Sequence, residues 1–368
     1  MTEFNQPLTL SSGVILPNRI MMAPMTTTQS FYNGVVTQDE ITYYAERSKG
    51  VGAVITGAAN VENIGKGWQG ELGIFHDKII PRLEELALAI QKQGAKAIVQ
   101  IFHAGRMTNK AVLAGKQPVA PSAIAAERPN AEIPREMSDE EINKAIKAFG
   151  NAAHRAIQAG FDGIELHGAN TYLIQQFFSP HSNRRTDKWG GSLEKRFTFI
   201  KELLDEVFQT VAKHSSRPFA VGYRLSPEEF EHPGIRFEDT LFLLDNLKQT
   251  KLDYLHLSLD RYARVAVSDK YKEKSILQYV HEAIEGKIPL VGVGGIRNKK
   301  DLQNVLAYAE LAAVGQQLIV DPAWAVKLLD GKEKDFVTGD FAKEIYNVKL
   351  SAPLMDFMME RYKSIVNV

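Results

Sequence analysis

Eight short apolar runs of strand length recur along the chain, and helical patterns separate them. The runs cover residues 19–24, 53–58, 96–102, 162–168, 218–224, 253–258, 288–294 and 311–315. Nearly all lack a clean alternation of apolar and polar residues, which is typical of parallel strands buried on both faces. Eight strand-then-helix units predict an α/β fold, a (β/α)8 TIM barrel, because a closed barrel leaves no strand edge exposed.

A doubly wound open sheet is the competing arrangement. The barrel is favoured because the eightfold count is complete and no GxGxxG motif follows the first strand. Before that strand, residues 8–16 alternate around Ser12-Gly13 and predict an N-terminal β-hairpin that plugs the amino-terminal end of the barrel. Residues 340–367 predict a C-terminal helical extension. We expect the chain to form one domain over residues 1–368.

Two helix starts and one helix face can be predicted in detail. Thr37 with Glu40, and Ser138 with Glu141, fit a capping box, in which hydroxyl and carboxylate satisfy free amides of the first turn. In the C-terminal extension, packing against the barrel wall is favoured for one face, and a subunit contact is the alternative. That face consists of Leu354, Phe357, Met358 and Arg361.

Composition narrows the classes of function. Lys plus Arg at 44 cancels Asp plus Glu at 44, so no overall basic field exists to bind nucleic acid or an anionic membrane. Cysteine is absent, which excludes disulfides, iron–sulfur clusters, cysteine-ligated zinc and a cysteine nucleophile. The first residues show no secretory pattern and no long apolar run occurs, so we expect a cytoplasmic protein without membrane or nucleic-acid partners.

Polar residues cluster where the predicted strands end, on the rim at which barrels of this type build their sites. His167 and Asn170 can donate to one ligand oxygen, and Tyr172 places a weak acid beside them. The alternative is a helix start with a satisfied histidine; a zinc site lacks a third ligand. Arg224 ends the fifth strand and needs an anion or several acceptors, with a structural salt bridge as the alternative.

Further rim residues suit a planar ligand with a phosphate. Gln100 can donate to and accept from the edge of a heteroaromatic ring, although a solvated rim residue is the alternative. Gly292, Gly294 and Gly295 end the seventh strand and bring backbone amides close together for a phosphate. The proline-rich connection of residues 104–137 predicts a lid or substrate wall. Together these groups fit flavin mononucleotide (FMN).

The motifs resemble those of the Old Yellow Enzyme family, FMN-dependent ene-reductases that are often described as NADH-dependent flavin oxidoreductases. The resemblance covers essentially the whole chain and includes NRIMMAPMT at the first strand, QIFHAGR at the third and VAPSAI in the long connection. It continues with HGANTYLIQQFFSPHSNRRTDKWGGSLEKR after the fourth strand, RLSP after the fifth and VGVGGIR at the seventh.

The resemblance implies a role for each candidate residue. His167 and Asn170 would bind the carbonyl oxygen of an activated alkene, and Tyr172 would protonate its α-carbon after hydride passes from flavin N5 to the β-carbon. The resemblance also implies contacts with the flavin ring by Pro24, Met25, Thr26, Gly57, Gln100 and Arg224. Among these, Thr26 would bond to O4, Gln100 would contact the pyrimidine part, and Arg224 would lie near N1 and O2. Gly294, Gly295 and Gly315 would hold the phosphate, and Phe102 would contact the substrate.

Three positions depart from the family pattern. Gln316 follows Gly315 where an arginine usually grips the phosphate, so we expect Arg297 or a nest of backbone amides to compensate. Thr26 stands where one branch of the family has a cysteine that tunes the flavin. Trp189 stands where the usual motif has tyrosine, a change that we expect to be structural.

The predicted function is FMN-dependent reduction of activated C=C bonds in enones, with quinones and nitro compounds as further candidates. NADH or NADPH would be the electron donor, and no metal is expected. One alternative is a flavin-binding barrel that serves as a redox sensor without efficient turnover. Another is a flavin-free aldolase or isomerase acting on a sugar phosphate. The predicted partner is a small electrophilic alkene, and the sequence leaves the oligomeric state open, a homo-oligomer included.

Overall fold

The computed structural model describes residues 3–366, with the side chains of residues 341, 342 and 362–366 left aside. Its strands are β1 Leu8–Thr9, β2 Ile15–Leu16, β3 Ile20–Met22, β4 Ala53–Ile55, β5 Ala59–Asn60, β6 Leu72–Gly73, β7 Lys96–Phe102, β8 Val119–Ala120, β9 Arg135–Glu136, β10 Gly163–Gly168, β11 Ala220–Leu225, β12 Tyr254–Leu257, β13 Leu290–Val293 and β14 Leu311–Val314.

The helices are α1 Gln38–Arg47, α2 Ile80–Gln91, α3 Asp139–Gln158, α4 Leu173–Phe178, α5 Leu193–His214, α6 Phe237–Leu247, α7 Ile276–Ile284, α8 Lys299–Leu306, α9 Gln316–Val320, α10 Trp324–Leu329, α11 Phe341–Glu344 and α12 Ala352–Val366. The predicted helical region extended to residue 367, which lies outside the described residues together with residues 1, 2 and 368.

Eight strands close into a parallel barrel in the order β3, β4, β7, β10, β11, β12, β13, β14 and back to β3. The pairing of β7 with β10 completes the ring on one side, and that of β14 with β3 completes it on the other. The structure therefore confirms the (β/α)8 barrel over the open sheet. Each predicted run overlaps one of the eight strands, and β11 alone extends beyond its run, by one residue. Most strands are shorter than their runs because the chain leaves the ladder to form the loops.

The hairpin ahead of the barrel is also confirmed. Strands β1 and β2 pair antiparallel, and Gly13 supplies a positive φ of 86° in the turn between them. The backbone N–H of Ser12 donates to Oδ1 of Asp253 over 2.7 Å. Because Asp253 directly precedes β12, the hairpin lies against the amino-terminal end of the barrel.

Of the two predicted capping boxes, one is confirmed and the other is half wrong. Ser138 and Glu141 exchange both bonds at the start of α3. Thr37 caps α1 by accepting the N–H of Glu40, but the Glu40 carboxylate does not return to Thr37. It accepts instead from the hydroxyls of Thr27 and Ser30, since burial brings the carboxylate against the loop that follows β3.

The C-terminal extension packs over the loop after β3. Thr28 donates to the carbonyl of Pro353 over 3.1 Å, and the Gln29 amide donates to the Ser351 hydroxyl over 2.6 Å. On the predicted face, Leu354 and Met358 are buried and Phe357 is half-buried. Including Arg361 in that buried face was wrong: its guanidinium is exposed and lies 6.0 Å from the Phe357 ring centroid.

Trp189 is fully buried and its indole N–H donates to Oδ1 of Asp139 over 2.6 Å. The bond ties the segment after α4 to the first residue of α3, in agreement with the structural role expected for this position.

Candidate active site

The predicted site residues gather at one end of the barrel, because parallel strands end on a single rim. Register places His167 on β10 opposite Arg224 on β11. Gln100 and Phe102 lie on β7, near its carboxyl end. The other predicted residues lie in loops that leave the same rim: Pro24, Met25 and Thr26 after β3, Gly57 after β4, Asn170 and Tyr172 after β10, Gly294 and Gly295 after β13, and Gly315 and Gln316 after β14.

His167 is a buried, uncharged hydrogen-bond donor. Its Nδ1 accepts the backbone N–H of Ala169 over 3.4 Å, which places the proton of the neutral ring on Nε2. Burial lowers the pKa of His167 well below its usual range, and the positive charge of Arg224 acts in the same direction. At neutral pH the side chain therefore offers an Nε2–H group to a ligand.

Asn170 is held in a specific orientation at the rim. Its φ of 55° is in the left-handed region, which asparagine tolerates better than most residues. The backbone N–H donates to the Ser226 hydroxyl over 2.9 Å, and the Ser258 hydroxyl donates to Oδ1 over 2.8 Å. With Oδ1 engaged, the Nδ2 group is the part of this side chain that can donate to a ligand.

Tyr172 lies against both His167 and Phe102, with ring centroids 4.9 Å apart in each pair and the rings edge to face. Burial raises the pKa of Tyr172 to about 12, and nearby Glu71 adds to the effect. The hydroxyl therefore keeps its proton across the neutral range and can act as a weak acid.

An aromatic cluster lies beside these groups and is separate from the main core. It consists of Phe102 with the small residues Ala58 and Ala104, covered by Trp68 and Tyr172. The ring centroid of Trp68 lies 5.3 Å from that of Phe102 and 6.3 Å from that of Tyr172. The structure thus places Phe102 in an apolar cluster next to His167, and its contact with a substrate stays a prediction.

Glu71 holds the turn that carries Trp68. Its Oε2 accepts the backbone N–H groups of Gly67 over 2.7 Å and Trp68 over 3.2 Å. The other oxygen, Oε1, is buried and has no partner among the described residues. Burial raises the pKa of Glu71 well above its usual range, although the hydrogen bonds from Gly67 and Trp68 act in the opposite direction.

Gln100 belongs to a buried polar cluster inside the barrel. Its Nε2 donates to Oε1 of Glu165 over 2.7 Å, and Nδ1 of His256 lies 2.8 Å from Oε2 of the same carboxylate. Glu165 and His256 are fully buried, and Gln100 is nearly so. The structure therefore does not bear out Gln100 as a solvated rim residue.

Arg224 is buried and lacks a protein partner. Its Nε has no hydrogen-bond acceptor among the described residues, and the same residues include no carboxylate within ion-pair distance of it. Burial lowers the pKa of Arg224, but an arginine remains a cation in proteins. Since a buried cation needs an acceptor, this site favours a ligand over the structural salt bridge.

The segment of Pro24, Met25 and Thr26 passes between two glycines. A Cβ on Gly57 would lie 2.7 Å from the Met25 carbonyl oxygen, and a Cβ on Gly315 would lie 3.3 Å from the Met25 Sδ. The Gly57 N–H also bonds to the Tyr44 hydroxyl over 2.6 Å. Any larger residue at position 57 would displace this segment of the rim.

The proposed phosphate end also requires glycine. Gly294 and Gly295 have φ angles of 110° and 70°, and a Cβ on Gly294 would lie 2.7 Å from the Arg261 backbone nitrogen. Their backbone amides are therefore brought together without side chains between them. Arg297 follows shortly after and is exposed.

Sequence reasoning missed five residues around the site: Trp68, Glu71, Glu165, Ser258 and His256. Glu165 and His256 interrupt apolar strands, and Ser258 directly follows β12, so the rule that selected Gln100 and Arg224 applies to them too. Trp68 and Glu71 lie in a glycine-rich loop, ten or more residues beyond the end of the second predicted strand. Only the fold brings that loop over Phe102.

A comparison with family models matches residues 3–335 to the NADH:flavin oxidoreductase / NADH oxidase family. The chain belongs to this family. Membership confirms the predicted class, an NAD(P)H-dependent flavin oxidoreductase, and the predicted cofactors, FMN with NADH or NADPH. It also decides against the flavin-free aldolase.

Two curated relatives and one solved structure show how far the similarity extends. The chain is 47% identical to an NADH:acrylate oxidoreductase of Vibrio harveyi, over 98% of this chain and 36% of that protein. It is 43% identical to the probable NADH-dependent flavin oxidoreductase YqiG of Bacillus subtilis, over 90% of this chain and 89% of that protein. An Old Yellow Enzyme homologue of Zymomonas mobilis superposes with a TM-score of 0.80 at 25% identity, covering 96% of this chain and 98% of that one.

These matches confirm the resemblance to the Old Yellow Enzyme family. The chain spans about a third of the length of the Vibrio protein, so the activity of that whole protein does not pass to this chain by similarity alone.

The rim of this family member fits a flavin on two observations. Within the described part of the chain, Arg224 is a buried cation whose Nε has no acceptor, as a site for the electron-rich edge of a flavin requires. Gly295 is exposed, and a Cβ there would meet only the Asp260 carbonyl oxygen at 4.0 Å, so the loop after β13 leaves open space beside its backbone for a phosphate. Within residues 3–366, no helix has both the length and the apolar character needed to cross a membrane.

Proposed function

We propose that this flavin oxidoreductase reduces activated C=C bonds at the site formed by His167, Asn170 and Tyr172. The observation that carries the proposal is the arrangement of two neutral donors beside one weak acid. His167 offers Nε2–H, Asn170 offers Nδ2–H, and the Tyr172 ring touches His167. Two donors aimed at one carbonyl oxygen withdraw electron density from the conjugated double bond.

The residues proposed to hold FMN surround the same rim. They are Pro24, Met25, Thr26, Gly57, Gln100 and Arg224 for the ring, and Gly294, Gly295, Gly315 and Gln316 for the phosphate end. When bound, FMN accepts hydride from NADH or NADPH and supplies it to the alkene. The guanidinium of Arg224 is the cation available to balance negative charge on the ring.

His167 and Asn170 act as the carbonyl clamp. Because Nδ1 of His167 accepts from Ala169, the proton on Nε2 points away from the backbone and is kept at neutral pH. Because Oδ1 of Asn170 accepts from Ser258, the amide presents its NH2 group. Both groups donate without carrying charge, so they stabilise negative charge as it develops on the carbonyl oxygen and do not bind a free anion tightly.

Tyr172 is the proposed proton donor. Its pKa, raised to about 12, keeps the hydroxyl protonated at any physiological pH. The residue also touches Phe102, so the acid lies at the edge of the aromatic cluster against which we propose the alkene binds.

The proposed substrates are small planar compounds with a carbonyl-conjugated double bond. The aromatic cluster of Phe102, Trp68 and Tyr172 lies beside the proposed donors and suits a flat apolar body. Quinones and nitro compounds, which also place oxygens beside a planar system, are the further candidates. The name of the Vibrio relative, NADH:acrylate oxidoreductase, supports conjugated alkenes as the class.

The double variant His167→Ala/Asn170→Ala tests the proposal. We expect the rate of enone reduction to fall on the order of 100-fold or more, the scale seen when oxyanion donors are removed. His281→Ala/Asn304→Ala on the outer helices α7 and α8 is the matched control and should retain the wild-type rate. An undiminished rate in the first variant would overturn the proposal. A wild-type flavin that NADH and NADPH reduce only slowly would favour the redox sensor.

The predicted cytoplasmic location, the absence of nucleic-acid and membrane partners, and the homo-oligomer stay predictions. Analytical ultracentrifugation of the holoprotein tests the oligomeric state directly.

A further inference from the structure

Glu165 lies in the layer of side chains directly below the rim. On β10 it precedes His167 by two residues, so both side chains point to the same side of the strand. Register pairs Glu165 with Gln100 on one side and Gly222 on the other, whereas His167 pairs with Arg224 one layer above. Glu165 is fully buried, and nothing in the proposed chemistry uses it.

This carboxylate fixes the orientation of Gln100. A carboxylate accepts hydrogen bonds and does not donate them, so the Gln100 group 2.7 Å from Oε1 is the NH2 group. The amide oxygen of Gln100 then remains for the ligand above. A ligand that meets Gln100 must therefore present an N–H donor at that edge, as the pyrimidine ring of an oxidised flavin does.

Glu165 lies opposite Gly222, two residues before Arg224 on β11, so the carboxylate and the guanidinium belong to adjacent layers on neighbouring strands. They are beyond ion-pair distance, yet the charge of Glu165 acts to raise the pKa of Arg224. Burial alone would raise the pKa of Glu165, but the hydrogen bonds from His256 and Gln100 and the positive charge of Arg224 together lower it, so the group is ionised. Burial lowers the pKa of His256, which leaves an uncharged ring that donates through Nδ1. Tyr254, the remaining ionisable group facing Glu165, has a pKa well above its usual range and is neutral. The cluster therefore contains one anion and one cation, Glu165 and Arg224.

We propose that Glu165 is a positioning residue of the flavin site, which orients the Gln100 amide and serves as the counter-ion of Arg224. As counter-ion it offsets part of the positive charge that the flavin meets, and so it holds the reduction potential of bound FMN lower than Arg224 alone would set it. This inference rests on FMN as cofactor but does not require an alkene substrate. The role of Glu165 can therefore be wrong while alkene reduction is right, and alkene reduction can be wrong while the role of Glu165 is right.

The first test is Glu165→Gln, which keeps the shape of the side chain and removes its charge. The midpoint potential of bound FMN is measured by equilibration with a reference dye, and the affinity of the apoprotein for FMN is measured by quenching of flavin fluorescence. We expect a more positive potential, with reduced FMN gaining about tenfold in affinity relative to oxidised FMN, within the usual range for coupling between two sites. A folded variant with the wild-type potential overturns the counter-ion role.

Glu165→Asp distinguishes the effect of the negative charge from the effect of the contact with Gln100. It also provides a test if the Glu165→Gln variant does not fold. It keeps the negative charge but withdraws the carboxylate from Gln100 by one methylene. We expect a potential near that of the wild type and several-fold weaker FMN binding. Wild-type affinity in this variant overturns the orienting role.

Asp253→Asn is the matched control, because Asp253 is a buried carboxyl at the opposite end of the barrel. It should leave both the potential and the FMN affinity unchanged. An equal shift of the potential in this control would show that loss of any buried carboxyl suffices, and would overturn the assignment to Glu165.

Discussion

Ser258 donates its hydroxyl proton to Oδ1 of Asn170 over 2.8 Å, and so determines which end of that amide faces the ligand. Without this bond the amide can rotate and present its oxygen, which repels a substrate carbonyl. The orientation of a proposed catalytic side chain thus depends on a residue of another strand end, 88 positions away in the sequence.

Replacing Ser258 by alanine should therefore weaken carbonyl binding. The loss of one orienting hydrogen bond costs about 1 kcal/mol, which corresponds to roughly five- to tenfold in the KM for an enone. Reduction of the flavin by the nicotinamide in stopped-flow mixing should change much less. Ser215→Ala, at the end of α5, is the control. A Ser258→Ala enzyme with the wild-type enone KM would contradict this account of Asn170.

Tyr172→Phe should slow reoxidation of the reduced enzyme by an enone by about 10²- to 10⁴-fold, the usual contribution of a positioned general acid. Because the pKa of Tyr172 is raised to about 12, the wild-type reoxidation rate should not decline between about pH 6 and 10. Both expectations can be checked by anaerobic stopped-flow mixing at a series of pH values. A wild-type rate that falls with an apparent pKa near 8 would identify a different acid.

The lowered pKa of His167 predicts that enone binding is independent of pH between about 5 and 8. A histidine with an ordinary pKa near 6.5 would gain a proton in this range and bind a carbonyl oxygen more tightly in acid. The measurement is the dissociation constant of an unreactive phenol or ketone, followed through the flavin spectrum. Tighter ketone binding below pH 6.5 would show that His167 is charged.

The phosphate end can be tested by two substitutions. If Arg297 compensates for glutamine at position 316, Arg297→Ala should weaken FMN binding by about tenfold, the scale of one charge-assisted hydrogen bond. In contrast, Gln316→Arg should strengthen FMN binding. The dissociation constant of FMN from the apoprotein is the readout. Unchanged FMN affinity in Gln316→Arg would contradict the idea that glutamine at this position weakens phosphate binding. Unchanged FMN affinity in Arg297→Ala would show that Arg297 does not compensate, and would favour the backbone amides as the phosphate ligands.

Glu71 should make the protein less stable as the pH rises. Its folded-state pKa lies well above the unfolded value, so the unfolded chain releases a proton above about pH 4.5 that the folded chain retains. Stability is lost with rising pH until the folded-state pKa is reached. Glu71→Gln removes this dependence, and its free energy of unfolding should fall less than that of the wild type between pH 5 and 8. Urea denaturation of both proteins at pH 5 and at pH 8 gives the free energies of unfolding. An equal change between the two pH values in the wild type and in Glu71→Gln would contradict a raised pKa for Glu71.

The barrel could be predicted because its strands are buried on both faces. A strand of this kind is a continuous apolar run, which can be recognised in the amino-acid sequence. The rim residues on those strands could also be predicted, since strand ends of a parallel barrel must meet. His167 and Arg224 were expected at one rim for this reason, and register places them side by side.

Pairings across the barrel could not be predicted in the same way. The three-residue spacing of Thr37 and Glu40 predicts a capping box. In the structure the buried Glu40 carboxylate instead accepts hydrogen bonds from the hydroxyls of Thr27 and Ser30, which lie in the loop that follows β3 and not at the start of the helix. Similarly, no local pattern shows that Ser258 reaches Asn170 or that the loop bearing Trp68 folds over Phe102. These contacts depend on loop paths, which residue spacing does not determine.

Reduction of an alkene by the flavin at this rim can be followed in a single anaerobic double-mixing experiment. The holoenzyme is first reduced with one equivalent of NADH or NADPH and then mixed with 2-cyclohexenone, while flavin absorbance is recorded and the product is analysed. Our account predicts full return of the oxidised flavin spectrum with one cyclohexanone formed per flavin. A flavin that stays reduced until oxygen is admitted, with the enone recovered unchanged, would contradict it.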